Sequence, residues 1–221
     1  MATKTEVEQT SPAQVPALYS PPPLDITSDD IALPRIYIGQ FMSQHVKDKA
    51  VNVGDVYAAA GPDDGDPQVL WASGSDAAKA PVFHVLSMQR GLSATINGEL
   101  QRFKVGDPSA PEDAWITYNY VVALPEVDPS VPYKFLLTKT GRPAAKQVNL
   151  VLSKNAGTGP AWNHAFALTS AKRENQKGEF YVARVQNVEA KPENIAIANE
   201  LALMVSGQAD EYHATGEEPA I

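Results

Sequence analysis

The chain has 221 residues and a mass of 23.7 kDa, with 43% hydrophobic residues and a mean hydropathy of −0.25, which predicts one folded body with tails. Eighteen Lys and Arg stand against 26 Asp and Glu for a net charge of −8, a total that, taken whole, argues against a nucleic-acid partner. With no cysteine, disulfides, zinc ribbons, iron–sulfur sites and a Cys nucleophile are excluded.

Residues 1–23 are rich in Thr, Ser, Gln, Pro and Ala and close on Pro21-Pro22-Pro23. Without apolar periodicity, this stretch is expected to be a disordered arm. Met1 to Glu8 lacks the apolar run of a signal peptide, and no run approaches the ~18 apolar residues of a membrane span, so a cytoplasmic protein with no membrane partner is expected. The folded body is expected over residues 24–207. Arg35 to Gln40 reads as its first strand, and Val53 to Tyr57 as a turn entering a second. Gly61-Pro62-Asp63-Asp64-Gly65-Asp66-Pro67 is an acidic loop.

Further strands are predicted over residues 82–90, 115–124, 133–138, 147–153, 164–169 and 180–188. Gly and Pro clusters such as Gly106-Asp107-Pro108, Asp128-Pro129 and Gly141-Arg142-Pro143 punctuate them. Short strands separated by turn signals predict a mainly β barrel or sandwich, and 18 prolines agree with few long helices. One helix is expected, over about 192–206. Pro192 stands early, Ile197, Leu201 and Met204 share a face, and Gly207 follows. Residues 208–221 then read as an acidic disordered tail.

The charge is segregated. Residues 1–33 carry net −4, 34–130 net −5, 131–188 net +7 and 189–221 net −6. The +7 span holds Lys134, Lys139, Arg142, Lys146, Lys154, Lys172, Arg173, Lys177 and Arg184 against only Glu174 and Glu179, with aromatic residues interleaved. A positive surface that follows phosphates, with aromatic faces for unpaired bases, is what single-strand binding requires. Against this stands the ordinary pattern in which strands put cations in water and aromatic rings in the core. Phe135, Phe166 and Phe180, set among aliphatic residues, fit the core. Trp162, after a Gly-Pro loop, and Tyr181 fit a half-exposed stacking role.

No competing chemistry emerges. His45, His84, His164 and His213 share no metal-ligand spacing, and His84 in a strand reads as structural. No phosphate loop or nucleophile elbow occurs. The Asp63, Asp64 and Asp66 group departs from calcium-loop spacing. No catalytic residue, cofactor or metal is therefore expected.

The stretch Asp30 to Gln40, with Met42-Ser43 and Val53-Gly54-Asp55-Val56, resembles the opening of a group of small tailed-phage proteins. Lys146 to Leu152, Ala167 to Ser170 and Lys177 to Val185 resemble them too, so the likeness runs over about residues 29–205. The resemblance implies a single-stranded-DNA-binding protein acting in phage DNA replication or recombination inside the infected cell. It also implies an OB-like antiparallel barrel, here with extra strands and a C-terminal α-helix. Glu217-Glu218-Pro219-Ala220-Ile221 is similar to the acidic tips by which bacterial single-strand-binding proteins recruit replication partners, though it lacks an aromatic terminal residue. The expected partner is single-stranded DNA, with phosphates on Lys134, Lys139, Arg142, Lys146, Lys154, Lys172, Arg173 and Lys177 and bases on Trp162 and Tyr181. The alternatives are a phage structural or assembly β-sandwich and a metal-dependent nuclease. The latter would need clustered carboxylates that the +7 span lacks.

Overall fold

Alternating burial explains the first elements. In the structure, a computed structural model that describes residues 33–62 and 65–215 and side chains to residue 206, strands β1 (Arg35–Ile38) and β2 (Val56–Ala59) bury both faces. Ile36, Val56 and Ala58 join the main core, while Tyr57 and Ala59 form a second cluster with Val51, Tyr37 and Val46. The short helix α1 (Gln44–Lys47), which carries Val46, lies between the two strands in sequence. β3 (Gln68–Trp71) follows.

Strand β4 (Val82–Ile96) is longer than the expected 82–90 and turns through Asn97-Gly98 into β5 (Glu99–Lys104). Both turn residues have positive φ, 54° and 89°, the requirement of a tight hairpin whose twist matches its strands. β6 (Trp115–Leu124) coincides with the predicted 115–124. β7 (Asp128–Thr138) begins at Asp128, because the turn falls one step earlier, where the Val127 N–H donates to the Leu124 carbonyl at 2.9 Å.

Residues 147–153, expected as a strand, belong to helix α2 (Arg142–Lys154). Pro143 sits in its first turn, where a missing N–H costs nothing. Ala144, Ala145, Val148, Val151 and Leu152 form the buried stripe against the core, and that 3.6-residue period overrides the strand preference of the valines. β8 (Ala165–Asn175) and β9 (Gly178–Val188) make a long hairpin. Helix α3 (Pro192–Thr215) runs past residue 206, where Gly207 was expected to stop it.

Among the described residues, nine strands form one mixed sheet in the order β3-β2-β1-β7-β6-β4-β8-β9, with β5 on β4. The expected wholly antiparallel pairing is corrected here, and the sheet is open. β1 pairs parallel to β7, through Arg35↔Lys134 and Ile36↔Phe135, and no ladder joins the outer strands β3 and β9. What draws β9 back toward β1 is a side chain. The Gln40 amide accepts the Tyr181 N–H at 3.0 Å and donates to the Tyr181 carbonyl at 2.8 Å. The Ser170 hydroxyl adds a bond to the Gly54 carbonyl.

The main core lies on one side of the sheet, around Phe83, which stacks on Phe166 at 5.4 Å and meets Phe135 edge-on at 5.9 Å. α3 covers the opposite face, where Leu86 and Ala123 meet Ala198, Leu201 and Ala202. The chain divides into Met1–Ile31 and Ala32–Ile221, and the expected arm at 1–23, the start of the expected body and residues 216–221 lie outside the described residues. Among the described residues no helix is long and apolar enough to cross a membrane.

Candidate nucleic-acid interface

Parallel pairing of β1 with β7 spans two residues, and the strands then part. A cleft of about 500 Å³ opens there, lined from β1, β4, β5, β6, β7 and β9. Among the described residues its charged lining consists of Arg35, Arg102 and Lys134, with no carboxylate. Arg35 and Lys134 are register partners, so two like charges sit side by side and repel. Neutral donors and acceptors, among them Gln89, Asn119 and Gln40, share the walls, with Tyr181 at one end.

A second groove of about 380 Å³ continues from the first. Both are lined by Gln40, Thr140 and Tyr181, and the second runs along the β8–β9 turn past Lys177 and Phe180. Among the described residues, the one carboxylate in its lining, Glu179, pairs with Lys172 at 2.5 Å, which holds the Lys172 ammonium above its ordinary range. Tyr181 is fixed at the junction by the Gln40 clamp. Its ring lies over Gly54, where φ is +88° and a Cβ would overlap the ring.

The structure divides the residues singled out from sequence. Lys134 and Tyr181 line the main cleft, and Lys177 lines its continuation. Lys139 and Arg142 flank Thr140 and Gly141, which line the cleft. The Lys139 ammonium is held 3.4 Å above the Trp115 ring, a cation–π contact. Lys146 and Lys154 are exposed on α2, and Lys172 and Arg173 on the hairpin, outside the cleft lining. Trp162 is in the lining of neither groove. It is half-buried against the cluster beneath α3, and its carbonyl meets His84 Nδ1 at 2.7 Å.

That bond assigns the Nδ1–H tautomer to His84, because a carbonyl only accepts. Burial holds the imidazole below its ordinary pKa, and Nε2 is buried without a partner. His84 is thus a structural residue under α3. The start of α3 is tied down nearby, where Glu126 accepts from Lys191 at 2.7 Å and from buried Asn194 at 3.2 Å. Those bonds hold the Glu126 carboxyl below the usual range.

Sequence reasoning missed Arg35 and Arg102. Both lie in the net −5 stretch, and only pairing across the sheet sets Arg35 beside Lys134, so no local charge count finds them. Among the described residues no group of three or more His, Asp or Glu is placed to hold a metal ion, and Asp63 and Asp64 lie outside them. No family profile, no curated protein and no solved structure matches the chain.

Proposed function

We propose that the chain is a non-enzymatic protein that binds single-stranded DNA without sequence preference, working in the DNA replication or recombination that the resemblance to tailed-phage proteins implies. The observation that carries this is the charge of the cleft. In a chain of net −8, three cations from strands far apart in sequence converge on one concave surface that has no carboxylate among the described residues of its lining. A polyanion relieves the repulsion between Arg35 and Lys134, and the amides of Gln89, Asn119 and Gln40 in the same lining suit bases of any identity.

Strand order supports an OB-like reading. Along β7-β6-β4-β8-β9, β4, β6 and β7 form a meander, α2 follows, and β8–β9 returns to pair with β4. This is a Greek-key order of five strands with a helix after the third. β1, lying parallel to β7, fills the gap where such a barrel is partly open. In OB folds, oligonucleotides bind on the face of strands two and three and on the loops after strands one and four. Here those strands are β6 and β7. The first loop region contains β5 with Arg102, and the second is the β8–β9 turn with Lys177, so the two grooves run over this same surface.

The test is a fluorescence titration of the full chain with labelled oligo(dT) and with a duplex of equal length, at low salt. Tighter binding of the single strand is expected. Absence of oligo(dT) binding at low salt would overturn the proposal.

A further inference from the structure

Among the described residues, Phe41 is the one aromatic side chain that is more than half exposed. Its neighbour Met42 is 77% exposed. Scattered exposed apolar residues are ordinary, but these two are adjacent and rigidly presented. They form the tip of a turn in which the Ser43 N–H donates to the Gln40 carbonyl at 2.9 Å and the Gln40 N–H donates to the Ser43 hydroxyl at 3.1 Å. On one side, Ser43 leads directly into α1, its carbonyl accepting from the Val46 and Lys47 N–H groups. On the other, the Gln40 side chain is clamped to the Tyr181 backbone. Gln40 lines both grooves, so the tip stands next to the place where they meet.

Such a tip offers the core nothing, and it faces water beside a surface built for phosphates. Phosphate contacts leave the bases of a single strand without a flat apolar surface. Tyr181, at the junction, is half-buried and offers only part of its ring. We infer that the Phe41–Met42 turn is a base-stacking tip, with the Phe41 ring taking the face of a base in the strand that passes the groove junction and Met42 covering its edge. This inference rests on the single-strand reading of the groove. A base in an intact duplex is already stacked on both faces, so the tip acts on single strands and sharpens their preference over duplex.

The experiment compares wild type with Phe41→Ala, Phe41→Leu and Phe41→Trp in the full chain, by anisotropy of labelled oligo(dT) at several salt concentrations. Stacking contributes about 1–3 kcal/mol per base, so Phe41→Ala weakens binding by about 5- to 150-fold, with an unchanged salt slope because no cation is lost. Phe41→Leu keeps the apolar bulk without the ring and falls with alanine. Phe41→Trp restores affinity, and its added emission is quenched by the oligonucleotide. Wild-type affinity in the alanine and leucine variants overturns the tip and leaves the groove standing. A reduced salt slope in those variants also overturns it, since the residue would then act through the cations. Failure of wild type to bind oligo(dT) removes groove and tip together.

Discussion

Replacing Arg102 and Lys134 with Gln takes two of three cations out of the main cleft and leaves the Arg35 charge in place. Each phosphate neutralised on a single strand contributes about 0.7 to the negative slope of log affinity against log salt. With one phosphate per cation, the cleft supplies a slope of about 2.1 in wild type and about 0.7 in the double variant. Between about 50 and 200 mM salt, that share amounts to an affinity loss of about 18-fold in wild type and about 2.6-fold in the variant. Lys177 and other cations outside the cleft add equally to both proteins, so the quantity to read is the difference of about 1.4 in slope. Anisotropy of a labelled oligo(dT) over a salt series measures it directly. Lys79→Gln, exposed and outside the lining of both grooves, serves as the control and keeps the wild-type slope. An unchanged slope in the double variant refutes phosphate contact in the cleft even where affinity is lower, because loss of packing or stability weakens binding without changing ion release.

Two further outcomes concern the fold. His84 is buried and its pKa is lowered by desolvation, so the unfolded chain takes a proton there more readily than the folded one. Its stabilising share is complete above the unfolded value of about 6.5 and declines as pH falls below it, by at most about 1.4 kcal/mol per pH unit. Urea midpoints at pH values on either side of that point measure this; His84→Gln flattens the dependence, and an equal pH dependence in the variant would contradict the assignment. Gly54→Ala meets both a positive φ and the Tyr181 ring, and is expected to cost about 2 kcal/mol or more, read as a lowered Tm.

The strands that alternate or run apolar between Gly and Pro signals were legible from sequence, β6 to the residue and β9 within two. β5 was not, because Glu99-Leu100-Gln101-Arg102-Phe103-Lys104 is an exposed edge strand with no buried face to impose a period of two. α2 was misread because Val148, Val151 and Leu152 favour a strand locally, whereas their spacing from Ala144 matters only once a core is present to receive them. The cleft was half legible. Lys134, Lys177 and Tyr181 stand in the basic span, while Arg35 reaches it through a pairing across about a hundred residues of chain. Phe41 carried no periodic or charge signal at all.

Two side chains, Gln40 and Ser170, fasten the β8–β9 hairpin to the β1–β2 end of the sheet, where no ladder joins them. A backbone ladder opens residue by residue, each step exposing another pair of polar groups. The Gln40–Tyr181 fastening instead rests both of its hydrogen bonds on one side chain, so a single substitution at Gln40 removes the pair without touching a ladder bond. The seam lies where the two grooves meet, because Gln40 and Tyr181 line both of them.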